Sequence, residues 1–244
     1  MPEQPSAIVT GASAGIGLAV SRMLRQRGLA VTMVARHADR LDEAIRTLGR
    51  EGPDLTSHPW DASAGAGADE VVAAHLSRHG RLDVVVANAG RGSPGTAAAM
   101  SATELQRMLA VNVVGPFALA GASMPALRQC AADGGHPWFV VTSSLSGMWP
   151  TPGFAGYSAT KSASVSLARS IASEEATHGV RACAICPAYV DTDLTRWVRD
   201  EVDQESMLRA EDVAASVAFL LDLSPNAVVT ELVLRRTGAG PTSP

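Results

Sequence analysis

Seven short runs rich in Val, Ile, Leu and Ala alternate with stretches of helical periodicity, and no other feature constrains the fold as tightly. "SAIVT" (6–10) reads as a buried strand, and "GIGLAVSRMLRQRG" (15–28) then repeats apolar residues at helical spacing and stops on Gly28. "LAVTMVAR" is a second strand and "ADRLDEAIRTLGR" a second helix. "DLTSHPW", "LDVVVANAG", "PWFVVTSS", "VRACAICP" and "VVTELVLR" supply five more strands. Helices are predicted near 68–79, across 101–131, over "YSATKSASVSLARSIASEEATHG" and over "EDVAASVAFLLDL". Gly115-Pro116 and Pro125 are expected to bend the long one. Strands alternating with helices imply βαβ units and a parallel sheet. Continuous apolar strands suit a sheet covered on both sides.

The predicted fold class is therefore α/β. Residues 1–244 form a single doubly wound, Rossmann-type domain, with about seven parallel strands and helices on both faces. With 46% hydrophobic and 18% charged residues, a substantial core is feasible. The net charge is −4 with no basic block, so nothing favours a nucleic-acid or anionic-membrane partner. "MPEQPSAIVTGAS" does not read as a signal peptide, and no stretch reaches the ~20 apolar residues that span a bilayer. A soluble, cytoplasmic protein is expected.

Three cysteines argue against a disulfide scaffold. Cys183 and Cys186 spell C-x-x-C on a strand, where positions i and i+3 face opposite sides, so redox or zinc use is not expected. His75 and His79 have a zinc-compatible spacing but no Glu between them and no third ligand. They are expected on a polar outer helix face, and no metal site is predicted.

"TGASAGIG" joins the first strand to the first helix, with Gly11, Gly15 and Gly17 and, between them, Ser13 and Ile16. Glycine lets a backbone turn tightly and approach a ligand closely. The helix behind it presents free N–H groups and a positive dipole end to a phosphate. A plain glycine-rich turn has the same composition; the position between strand and helix is what favours phosphate binding.

The chain holds two tyrosines, and one begins "YSATK", four residues before Lys161. Residues i and i+4 share a helix face, so Tyr157 and Lys161 can look into one cleft. A free phenol, with a pKa near 10, is a poor base at neutral pH, and a nearby ammonium lowers that value. Tyr157 could then exchange a proton with an alkoxide or alcohol. Ser144, at the end of the fifth strand, can polarise a carbonyl oxygen.

The spacing G-x-x-x-G-x-G resembles that of the short-chain dehydrogenase/reductase family. Further motifs follow in the family's order: "NAG" at 88–90, Asn112 in "VNVVGPF", Ser144 in "TSSLSG", Tyr157 and Lys161 in "YSATK", and "PAYVDT" at 187–192. Y-x-x-x-K alone is a weak signal; six motifs in order, over essentially the whole chain, are a strong one. The resemblance implies a seven-stranded parallel sheet and a homodimer or homotetramer. It also implies that Lys161 bonds the nicotinamide ribose and that Asn112 holds a water in a proton relay to Lys161. Asp61 would meet the adenine amino group, and Asn88 to Gly90 would line the adenosine ribose. Thr192 would reach the carboxamide, in a segment that includes Pro187 and Val190. One departure stands out: Ala188 follows Pro187 where the family usually has glycine, and its methyl threatens to crowd the nicotinamide.

An acidic residue about 20 positions beyond the glycine loop normally binds the NAD ribose. Here "VARHADR" puts Arg36 in that place, with Asp39 farther into the next helix. A guanidinium suits a 2′-phosphate, with His37 and Arg40 in support, so NADP(H) is favoured and NAD(H) remains possible. Substrate contacts are expected from Ser144, Tyr157, Leu145, Met148, Trp149 and Phe154, and from Tyr189, Leu194 and Trp197. They suggest a largely apolar pocket for an alcohol or ketone. Arg196 and Arg199 are the candidates for an anionic substrate group.

Three readings follow. The first is an oxidoreductase transferring hydride between NADP(H) and a carbonyl or secondary alcohol. The second is a catalytically silent NADP(H)-binding regulator, supported only by Ala188. The third, epimerisation or dehydration of nucleotide sugars, belongs to generally longer relatives.

Overall fold

The structure is a computed structural model that describes residues 4–49, 51–199 and 202–240. Seven parallel strands form one sheet: β1 (Ser6–Thr10), β2 (Ala30–Ala35), β3 (Leu55–Pro59), β4 (Val84–Ala87), β5 (Trp138–Thr142), β6 (Arg181–Pro187) and β7 (Glu231–Leu234). Their order across the sheet is β3-β2-β1-β4-β5-β6-β7. Each run anticipated as a strand forms one. The fully buried strands β1, β4, β5 and β6 occupy the middle. β3 alternates partly buried and exposed residues and ends on Pro59, which donates no ladder hydrogen bond; it lies at an edge.

Successive strand residues face opposite layers. Ala7 and Val9 join one core with Val20 and Leu24 of α1 (Gly15–Gln26), Leu41 of α2 (Ala38–Leu48) and Val213 and Val217 of α8 (Ala210–Asp222). Ile8 joins the other with Val71 of α3 (Ala68–His79), Leu127 of α5 (Gly115–Ala132) and Ile171 of α7 (Ala155–Glu174). Cys183 packs in the first core and Cys186 in the second, on opposite faces as their spacing requires.

The long helical stretch begins as α4 (Ala102–Leu109) and passes through a π-helical segment, Ala110–Val114, before α5. The irregularity therefore precedes Gly115-Pro116, while the helix runs on through Pro125. Gly121, whose carbonyl loses its partner to Pro125, is exposed and can bond water. By length and hydropathy, 1.4 over its most apolar window, Ala102–Ala132 is comparable to a membrane-spanning helix. Its inner side, Leu119, Met124 and Leu127, packs into the core.

His75 departs from expectation. It is buried, not on an outer helix face. Its Nδ1 lies 2.8 Å from Thr32 Oγ1 and its Nε2 2.9 Å from Ser6 Oγ and 3.0 Å from the Arg81 carbonyl. Ser6 Oγ donates to that same carbonyl at 2.5 Å, so Nε2 carries the imidazole proton and Thr32 donates to Nδ1. Thr56 Oγ1, 2.9 Å from Thr32 Oγ1, completes a polar chain across three strands. Burial pushes the His75 pKa down to about 4, assisted by the charge of His79.

Candidate active site and cofactor cleft

The chain reverses its order in the sheet at β1 and β4, and their C-terminal ends open into a cleft. Thr10 ties these ends together: its hydroxyl accepts from the Asn88 and Ala89 N–H groups at 3.0 Å each, and its carbonyl accepts from Asn88 Nδ2 at 3.1 Å. Sequence reasoning passed over Thr10, which carries no motif signal of its own.

Gly11 and Gly15 hold φ of 65° and 52°, a region other residues seldom adopt. Gly17 is required by space: a Cβ there would stand 2.2 Å from the Gly11 carbonyl oxygen. α1 opens at Gly15 without a side-chain cap and without an acidic residue in its first turn. Its first N–H groups are left to an incoming anion.

The cleft has three compartments. One, enclosing about 810 Å³, is lined by Gly11, Gly15, Ile16, Asn88 and Gly90 on one side and by Ser144, Tyr157, Pro187, Val190 and Thr192 on the other. A second, about 1150 Å³, continues past Ser13 to Arg36, His37, Arg40 and Asp61. The first two share Gly11, Ala89 and Gly90. A third and smaller one, about 460 Å³, lies beyond Ser144 and Tyr157. Arg36 and Arg40 make no ion pair among the described residues. Asp61 accepts from the Ser63 N–H at 2.9 Å and hydroxyl at 2.8 Å. Burial raises the Asp61 pKa, but these bonds and the charges of Arg36 and His37 outweigh it and hold it below the ordinary value.

Ser144 caps α6 (Leu145–Met148), a helical turn not anticipated, and its Oγ accepts from the Ser146 N–H at 3.2 Å. Tyr157 is half-buried, with its ring on the cleft wall. Lys161 is buried; its Nζ donates to the Thr142 carbonyl at 2.9 Å and lies 5.8 Å from the Tyr157 ring centre. Behind it, Ser143 Oγ donates to the Lys161 carbonyl at 2.8 Å. Asn112 sits in the π segment with its side chain engaged: Oδ1 accepts from the Arg91 N–H at 2.8 Å, and Nδ2 donates to the Arg91 carbonyl at 2.8 Å and to Thr160 Oγ1 at 2.9 Å. A methyl on Gly90 would stand 3.5 Å from Lys161 Nζ and 3.6 Å from Asn112 Oδ1, so the three converge on one spot.

The electrostatics differ from the simple expectation that the lysine makes the tyrosine acidic. Burial pushes the Tyr157 pKa up to about 12, against a hydrogen bond with Ser144 that pulls it down. Burial also pushes Lys161 down to about 8. With the protein's own groups alone, burial is the largest influence on both residues, and the resting phenol is protonated. Cys186, fully buried and interacting with Ser143 and Lys161, was not singled out for this patch because a strand cysteine reads as core.

The substrate-side expectations divide. Phe154, Tyr189 and Leu194 line the third compartment. Leu145 does not: α6 turns it fully inward. Trp149, at the end of that turn, is 38% exposed and lines none of the three compartments. Met148 packs against the core, and the Trp197 side chain lies outside the described residues. Arg196 and Arg199 pair with Asp193 and Asp191 respectively. Asp191 also accepts from Gln204 Nε2 at 2.7 Å, while Val190 bridges to Leu208; the segment between is clasped at its base. Ala188, with negative φ, fits without backbone strain, its N–H donating to the Leu234 carbonyl at 2.8 Å.

The model of the short chain dehydrogenase family matches residues 5–203. Dehydrogenase/reductase SDR family member 4 of Homo sapiens is 30% identical, covering 93% of this chain and 84% of its own. An alcohol dehydrogenase from the archaeon Thermococcus sibiricus, solved with 5-hydroxy-NADP, superposes with a TM-score of 0.88 at 32% identity, over 98% of this chain and 99% of its own. A 3-ketoacyl-(acyl-carrier-protein) reductase from Brucella melitensis, solved with NADH, gives 0.86 at 28% identity, over 95% and 96%. The chain belongs to the short-chain dehydrogenase/reductase family and is an oxidoreductase with a Rossmann fold, and both solved neighbours carry a nicotinamide dinucleotide.

Proposed function

We propose that residues 1–244 act as one catalytic domain, an NADP(H)-dependent carbonyl reductase or alcohol dehydrogenase of the cytoplasm. The observation that carries the reading is that Ser144 and Tyr157 line the end of the cleft, with the buried Lys161 Nζ behind them, 5.8 Å from the Tyr157 ring centre. Gly11, Ser13, Gly15, Ile16 and Gly17 would hold the pyrophosphate, Asp61, Asn88 and Gly90 the adenosine half, and Pro187, Val190 and Thr192 the nicotinamide half. The bound cofactor supplies or accepts the hydride. Ser144 donates to the substrate oxygen, and Tyr157 gives its proton to the forming alkoxide. A cationic Lys161, its pKa near 8, lowers the cost of the phenolate left behind. Asn112 holds the Arg91 backbone, and with it the loop beside Lys161, against α7.

NADP(H) over NAD(H) rests on Arg36 and Arg40, two exposed guanidiniums at the rim that make no ion pair among the described residues. The exposed strip Leu109, Val114 and Phe117 supports a homodimer or homotetramer. The regulator reading rests on Ala188 alone, which lines the first compartment with no positive φ.

The test is consumption of NADPH, and separately NADH, against aldehydes and ketones, with Tyr157→Phe as control. Activity that prefers NADPH and falls by about a hundredfold or more in the variant is expected. Equal activity in Tyr157→Phe removes the mechanism, and a preference for NADH removes the assignment of Arg36.

A further inference from the structure

Resting on the reductase reading, we infer that the third compartment takes a compact, uncharged aldehyde or ketone, and that the Ala188 methyl sets the upper size. Ala188 lines both this compartment and the one beside the glycine loop, so its side chain stands on the wall where hydride donor and acceptor must meet. It cannot easily retreat: the residue is buried, with its N–H tied to the Leu234 carbonyl at 2.8 Å. Opposite, Gly92 leaves room that a methyl would occupy, at 3.5 Å from two Tyr157 ring carbons and 3.7 Å from Leu194 Cδ1. The clearance around the reacting carbon is therefore set by one methyl present at 188 and one absent at 92.

Among the described residues, no Asp, Glu, Lys or Arg lines the compartment. The Ser146 hydroxyl is engaged with Thr151 at 2.8 Å and Thr195 donates to the Val190 carbonyl at 2.5 Å. The Ser93 hydroxyl has no partner among the described residues, and Ser93, the Ser144–Tyr157 pair and the Tyr189 phenol, all uncharged, are the other polar side chains on the lining. The arginines nearest in sequence, Arg91, Arg196 and Arg199, are already paired with carboxylates. A substrate carboxylate would lose its water here without gaining a counter-charge.

The experiment uses the whole chain with NADPH and three ketones. 2-Hexanone and 4-oxopentanoate share their reacting end and length but differ in charge; diisopropyl ketone is branched at both α-carbons. We expect kcat/KM for 2-hexanone to exceed that for 4-oxopentanoate by about tenfold or more. Ala188→Gly raises the ratio of diisopropyl ketone to 2-hexanone by about tenfold, the scale of one methyl in an apolar pocket, and Gly92→Ala lowers it. A cooperative thermal melt shows that both variants fold, and the ratio is taken at saturating NADPH, fixed by fluorescence titration, because Ala188 and Gly92 also line the first and second compartments. Equal or better use of 4-oxopentanoate, or a ratio unmoved in either variant with NADPH binding intact, overturns this inference alone. Tight NADPH binding with no turnover of any ketone, or turnover undiminished in Tyr157→Phe, overturns the reductase reading beneath it.

Discussion

His75 makes the stability of this protein depend on pH in a defined window. It is enclosed by Ser6, Thr32, the Arg81 carbonyl and His79, with the Asp83 carboxylate the opposing charge, and its pKa falls from 6.5 to about 4. The folded chain keeps it neutral where the unfolded chain protonates it. Stability from this residue is therefore complete above 6.5, is lost as the pH falls towards about 4, and changes no further below that. Each pH unit inside the window costs about 1.4 kcal/mol, so moving from pH 7.5 to pH 5 removes about 2 kcal/mol. Urea unfolding at those two pH values, for the natural chain and for His75→Gln, measures this. Glutamine is less stable at pH 7.5 because the network is imperfectly replaced, but its loss between the two pH values is smaller by about 2 kcal/mol. Equal pH losses in the two proteins would refute the assignment of a neutral, Nε2-protonated imidazole.

Gly17→Ala forces a methyl towards the Gly11 carbonyl oxygen, 2.2 Å from its ideal place, where only backbone can yield. About 2 kcal/mol or more of stability is lost, read as a melting temperature lower by about 5 °C or more, with weaker NADPH binding. Asp191→Asn removes the anion that holds Arg199 and Gln204; KM rises severalfold with a smaller change in kcat, and limited proteolysis within 192–207 accelerates. Lys161 is the single lysine in the chain, so an NMR titration of the lysine ammonium reports on it alone and should show a pKa near 8 in the cofactor-free protein. A value near 10.5 would mean that the ammonium is not desolvated as described.

The sheet was legible because seven apolar runs are long enough to be strands and too short to be helices, and the switch-point cleft follows from their order. The glycine loop, Ser144, Tyr157 and Lys161 carry local patterns that survive without coordinates. Leu145 and Trp149 were misjudged for a geometric reason: α6 is a single turn capped by Ser144, and nothing in "SLSGMW" reveals which way it rotates its side chains. His75 was misjudged because its two hydroxyl partners, Ser6 and Thr32, lie on β1 and β2, far from it in sequence. The protonation of Tyr157 was missed for a third reason. Spacing reveals that a cation is near but not how much water both groups have lost, and here desolvation decides the balance.

The strand order also has a temporal consequence. β1 lies between β2 and β4, and its register with β4 pairs Ala7 with Val84. While the chain is being synthesised, β1 can find β2 early, yet its other edge waits for nearly eighty further residues. A nascent fragment ending before β4 therefore carries three strands of the sheet with β1, apolar at Ala7, Ile8 and Val9, bare at its margin, the kind of edge that recruits chaperones or other chains. Closing that gap is the event that brings Thr10 to Asn88, so the step that hides the dangerous edge is also the one that first creates the floor of the cofactor cleft.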